Sequence, residues 1–138
     1  MSEPNPELIQ TIKQRLEIIE SNVTLATEKS KRIASDVLIL AVSKRQPVSI
    51  IEAAYACGVR CFGENYAEEA DEKIKQLSYL TDIRWEMVGH VQSRKSALVA
   101  ADFSRVHSLD SLKLARRLDS ARANQESPQP LEVLLQLN

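Results

Sequence analysis

The sequence is poor in the residues that punctuate or staple a chain. Among 138 residues there are three glycines, two cysteines, two histidines and six aromatic side chains. Gly58, Gly63 and Gly89 all stand near predicted element boundaries and form neither a G-x-G-x-x-G nor a Walker-type phosphate loop. Cys57 and Cys61 lie four apart, with no histidine close in sequence, which does not supply the four ligands of a structural zinc site. They read as ordinary reduced cysteines of a cytoplasmic protein. Charge of one sign is missing too: 18 basic residues against 19 acidic ones give a net charge of -1, which provides no overall attraction to nucleic acid or anionic membrane. No apolar run reaches the length of a transmembrane helix. The start, Met1-Ser2-Glu3-Pro4-Asn5-Pro6, has neither the basic start nor the apolar centre of a secretory signal.

What is present suits one α/β domain: 43% hydrophobic and 27% charged residues can form both a core and a solvated surface. Asn5-Pro6 offers a capping side chain and a proline at the first helical position. Leu8, Ile12, Leu16, Ile19, Val23 and Ala26 follow at helical spacing, predicting a helix from residue 6 to about 34 with one buried stripe that Ile33 extends. Predicted strands begin near residues 37, 60, 83, 104 and 131, each of the first four followed by a helical segment. Recurrent strand-then-helix order implies a parallel sheet. Periodicity alone leaves two architectures open: a small doubly wound sheet, or part of a (β/α)8 barrel.

Parallel α/β folds bind ligands at the carboxyl ends of their strands. Lys44 ends the first strand there, on the face of Leu38, Leu40 and Val42, where partial desolvation favours the neutral amine that attacks carbonyls. The alternative is a lysine that closes the strand and reaches water. Asn65, after Gly63-Glu64, either caps the next helix with Glu68 at the box position or donates to an anionic group. His90 and His107 are acid–base candidates at separate strand ends. Ser93-Arg94-Lys95-Ser96 reads either as an anion site or as a solvated turn, and the arginines 116, 117 and 122 as surface.

The ordered set Ala41-Val42-Ser43-Lys44, Phe62-Gly63-Glu64-Asn65-Tyr66, Trp85 through Lys95, His107-Ser108-Leu109-Asp110 and Val133 through Asn138 resembles the pyridoxal 5'-phosphate homeostasis protein family along essentially the whole chain. The resemblance implies the N-terminal part of an alanine racemase-like, TIM-type (β/α)8 barrel of about five parallel strands. Residues 1–35 would form a long helix packing on the barrel, and residues 36–138 the partial barrel domain with strands 1–5. It also implies pyridoxal 5'-phosphate held as an internal aldimine on Lys44, with Asn65, Met87, Val88, Gly89, His107 and Ser108 at the cofactor, and no metal. The implied role is cofactor binding in vitamin B6 and amino-acid homeostasis without an established reaction. The implied partner is that small molecule, with no nucleic acid or membrane, in the cytoplasm. The family's phosphate-binding loops would lie beyond the fifth strand. Two alternatives remain: a pyridoxal-dependent racemase-like enzyme using Tyr66 or His90 as a second base, and an open α/β domain binding another phosphorylated metabolite.

Overall fold

The computed structural model describes residues 5–126 and 129–137. The leading residues 1–4, Pro128 of the predicted turn before the last strand, and Asn138 lie outside the described residues.

Of the described residues, 5–40 and 46–59 form one compact unit. Its long helix α1 (Pro6–Lys29) begins as expected, with the Asn5 side chain accepting from the Glu7 amide at 2.9 Å and Pro6 in the first turn. It stops earlier than predicted. The Ser30 hydroxyl donates to the Ala26 and Thr27 carbonyls, and Lys31 takes a left-handed φ of 56° that cannot continue the helix. The predicted stripe is only half-buried: Ile19 and Ala26 are exposed, as is Ile33 beyond the helix end, and Thr27 is the one buried residue of the helix. α1 packs against α2 (Val48–Ala56), and the Cys57 thiol donates to the Ile9 carbonyl at 3.4 Å. α2 ends where Gly58 turns to φ 97°. The Gly58 amide bonds the Tyr55 carbonyl and the Val59 amide the Ala54 carbonyl, a Schellman closure that needs a residue without a Cβ penalty at that position.

The second unit, residues 41–45, 60–126 and 129–137, contains the sheet. Its strands are β1 (Ala41–Val42), β2 (Cys61–Glu64), β3 (Arg84–Met87), β4 (Arg105–Leu109) and β5 (Glu132–Leu135). The helices α3 (Ala67–Gln76), α4 (Ser96–Asp102) and α5 (Leu112–Ala123) follow β2, β3 and β4. The strands lie in the order β1-β2-β3-β4-β5 and every pair is parallel. A doubly wound sheet reverses its strand order at a switch point, and this sheet has none. Sequential parallel order is that of part of a (β/α)8 barrel. The first strand is shorter than its apolar run: residues 37–40 stay outside the ladder, with Leu38 61% exposed.

Alternation divides the sheet into two faces. Phe62, Glu64, Trp85, Met87 and Val106 are buried on the face covered by helices, with the Phe62 and Trp85 rings tilted together at 5.7 Å. Val42, Cys61, Gly63, Arg84, Glu86, Arg105, His107 and Glu132 belong to the opposite face.

Candidate functional site

The register builds the site. Val42, Gly63, Glu86, Arg105 and Glu132 are successive partners across the five strands. Two residues further along the first four come Lys44, Asn65, Val88 and His107, the first three just past their strands and His107 within β4. In β5, Leu134 follows Val133, the partner of Val106, where the register of the β4–β5 pair shifts. The strand order thus gathers on four neighbouring strands, as one row, an amine, a carboxamide, an isopropyl group and an imidazole from positions about twenty apart in sequence.

Three further predicted residues behave differently. Gly89 approaches the backbone of Asn65 so closely that a Cβ on it would stand 2.2 Å from the Asn65 carbonyl oxygen. The buried Ser108 hydroxyl donates to the Gly89 carbonyl at 2.6 Å, so these two residues brace the row from beside it. Met87 is buried with its side chain on the helix face, and only its backbone borders the row.

Two expectations are corrected. Lys44 is exposed, not half-enclosed, and Val42 at the end of the same strand is itself uncovered. Asn65 does not cap α3: the cap residue is Tyr66, and no side chain bonds the free amides there. His90 and His107 also keep separate company. The exposed His90 places Nδ1 3.5 Å from Asp110 Oδ2, and His107 places Nε2 2.5 Å from Glu86 Oε2. Of the Ser93–Ser96 turn, Lys95 pairs with Glu68 and Arg94 Nε donates to Gln92. With Asn65, Met87 and His90 these residues line a groove of about 470 Å³ between the starts of α3 and α4. Arg122 is not simply on the surface: its guanidinium donates to the Gln129 carbonyl at 2.6 Å and to the Ala100 carbonyl.

Beneath the row lies a charged layer that sequence reasoning missed. Glu86 is 1% exposed and faces His107, Arg105 and the Cys61 thiol, which donates to Oε1 at 3.3 Å. Arg84 Nε sits 2.8 Å from the same oxygen as an ion pair without an aligned N–H, and Glu132 joins both arginines. Burial works to raise the Glu86 pKa, but its bonds to His107 and Cys61 and the two guanidinium groups outweigh that and hold it below the usual value. The same surroundings push Cys61 up to about 12, burial first and the Glu86 carboxylate next, so the thiol is inert at neutral pH.

On the other face, Glu64 is fully buried. Its Oε1 accepts from the Ser43 hydroxyl at 2.7 Å and from Lys73 Nζ at 2.8 Å, and its Oε2 has no partner among the described residues. Lys73, on α3, also donates to the Ser43 carbonyl at 2.8 Å and to Glu69 at 2.6 Å. The sequence signal for Lys73 was its place at i+3 from Ala70, on the buried stripe Ala67, Ala70 and Leu77; the neighbouring Ile74 is only half-buried.

No protein-family profile matches the chain. It is 41% identical over 129 residues to the pyridoxal phosphate homeostasis protein of Pasteurella multocida, a match covering 93% of this chain and 54% of that one. The protein of the same name from Escherichia coli K12 is 39% identical over 129 residues, covering 92% and 54%. Among solved structures, PipY from Synechococcus elongatus with PLP bound is 41% identical with a TM-score of 0.63, covering 72% of this chain and 46% of that chain. A protein of unknown function from Bifidobacterium adolescentis superposes with a TM-score of 0.79 at 24% identity, which speaks for the fold alone. By sequence and by fold, the chain is similar to the pyridoxal phosphate homeostasis proteins, and it spans about half the length of the curated relatives it matches.

Proposed function

We propose that the chain binds pyridoxal 5'-phosphate through Lys44 and serves intracellular homeostasis of that cofactor and of amino acids without turning over a substrate of its own. The observation that supports this reading is the strand order: an exposed lysine just past the carboxyl end of β1, with Asn65 just past β2, Val88 just past β3 and His107 within β4 on the neighbouring strands. These groups fit the cofactor's chemistry. Lys44 supplies the amine that engages its carbonyl carbon, Asn65 and His107 supply polar contacts to the ring substituents, and Val88 and Leu134 supply apolar surface. Gly89 and Ser108 fix the strand ends around the ring, and Met87 contributes through its backbone. When bound, the cofactor supplies an electron sink for chemistry at an amino-acid carbon.

The curated relatives are named for homeostasis, and PipY has been solved with PLP bound, which supports a binder. Among the described residues, no helix is long and apolar enough to cross a membrane.

The test is covalent mapping on the 138-residue chain and on Lys44→Ala. Each is incubated with pyridoxal phosphate, reduced with borohydride, digested and analysed by peptide mass spectrometry. The expected result is a pyridoxyl group concentrated on Lys44 and lost in the variant. Adducts spread over surface lysines, or none, would falsify this reading.

A further inference from the structure

We infer that Glu69 and Lys73, together with Glu64, are positioning residues that clamp the Ser43–Lys44–Arg45 turn and thereby aim Lys44 along the site row. The inference rests on the cofactor reading above, and adds to it residues that stand on the far face of the sheet and on a helix.

Lys44 lies between two residues whose backbones are held by the same small cluster. On its amino side, Ser43 uses all three of its polar groups: the amide donates to the Gly63 carbonyl at 2.9 Å, the hydroxyl to Glu64 Oε1 at 2.7 Å, and the carbonyl accepts from Lys73 Nζ at 2.8 Å. On its carboxyl side, the Arg45 amide donates to Glu69 Oε1 at 2.5 Å. Lys73 Nζ reaches that same Glu69 oxygen at 2.6 Å and so joins both ends of the turn. Arg45 itself has φ 58°, a left-handed conformation that a side chain with a Cβ rarely adopts unless its surroundings impose it. The one bond from the Arg45 amide is therefore made to a group able to impose it. Above it the Arg45 guanidinium lies over the Tyr66 ring at 5.8 Å, closing the turn from outside.

The charges are arranged to keep this clamp shut at neutral pH. Lys73 is buried between two carboxylates, and Glu69, although burial works against ionisation, is held below its usual pKa by Lys73 and by the Arg45 amide. Lys44 makes no contribution to the cluster. It is exposed, so its direction is set by neighbours rather than by packing of its own.

Glu69 is the position to test, because it is partly exposed and its loss leaves the Lys73–Glu64 pair intact. Glu69→Ala, Glu69→Gln and the solvent-facing control Glu72→Ala are compared with the unaltered chain. Three quantities are read: exchange of the Arg45 amide with deuterium by NMR, the share of borohydride-fixed pyridoxyl carried by Lys44 relative to all other lysines, and the melting temperature. The expectation is that Glu69→Ala speeds Arg45 exchange about 2- to 10-fold, the range of a single net hydrogen bond. It should also lower the Lys44 share at limiting cofactor while melting stays within a few degrees, as for surface changes. Glu69→Gln, which keeps an acceptor oxygen, should restore both, and Glu72→Ala should change neither. Unchanged Arg45 exchange in Glu69→Ala overturns the clamp. Faster exchange with an unchanged Lys44 share overturns its role in aiming the lysine. If the unaltered chain carries no pyridoxyl on Lys44, the cofactor reading falls and takes the aiming role with it, while the exchange measurement still decides whether the turn is clamped.

Discussion

Glu64 and Glu86 stand on neighbouring strands, both buried, and face opposite sides of one sheet. Glu64 lies under α3 and meets an ammonium from that helix and a hydroxyl from the β1 turn, at 2.7–2.8 Å on one oxygen. Glu86 faces the uncovered side and shares its two oxygens among an imidazole, two guanidinium groups and a thiol, whose carriers come from three strands. The first carboxylate is locked to a full, helix-borne charge in a dry setting. The second is held by a ring of groups that water also reaches. A buried charge without its partner is far more costly in the first setting than in the second. Yet both end at the same row, one by fixing the turn that carries Lys44 and the other by fixing the ring of His107.

The largest effect is therefore expected on the helix face. Lys73→Met leaves Glu64 buried without a counter-charge and should cost about 3–5 kcal/mol in urea denaturation. A loss under about 1 kcal/mol would mean that the two faces are equivalent. Glu86→Gln should cost less, about 1–3 kcal/mol, since it removes charge-assisted hydrogen bonds but leaves Arg84 and Arg105 paired with Glu132. Its sharper signature is expected in the His107 ring resonances by NMR, because the ring loses its anionic partner while the fold persists.

The smallest effect is in the acid range. The folded-state pKa values of Glu69 and Glu86 are depressed, so their contribution is present above the ordinary carboxylate value of about 4.3 and is lost as pH falls through their lower folded values. Asp102 is shifted the other way, by burial and then by the nearby Asp71, and Oδ2 of Asp102 has no partner among the described residues. Its contribution runs oppositely, present at low pH and lost as pH rises through its raised value. A melting series from about pH 3 to 7 should fall on the acid side, flatten in Glu86→Gln and steepen in Asp102→Asn.

Much of the architecture was legible because strand and helix segments alternate with clear boundaries, and the parallel sheet follows from that alternation. Strand order was not legible, since the same alternation serves open and closed sheets; the hydrogen-bond register decides it. Lys44 could be found from its place after an apolar run, but its exposure could not, because burial depends on what covers Val42. Asn65 was ambiguous for a local reason: a carboxamide before a helix suits capping as well as binding, and the chain begins the helix one residue later than capping by Asn65 requires. Glu86 escaped notice because a lone acid within a strand reads as an outward residue. Lys73 was hidden in a run of charges that reads as solvated. Both became visible only when neighbours distant in sequence were brought within 3 Å.

The row has a further consequence for how this chain tolerates change. Each of the first four strands delivers one member, from residues 44, 65, 88 and 107; the first three sit just past the ends of their strands and His107 lies within β4. Chain length added at the amino-terminal ends of the strands, as in the turn between α3 and β3, leaves the ladder register untouched and so leaves all four members level. One residue added within a strand turns its member to the far side of the sheet. The units thus behave as interchangeable cassettes whose linkers can vary while their ladders cannot, and that asymmetry marks where graftable loops belong.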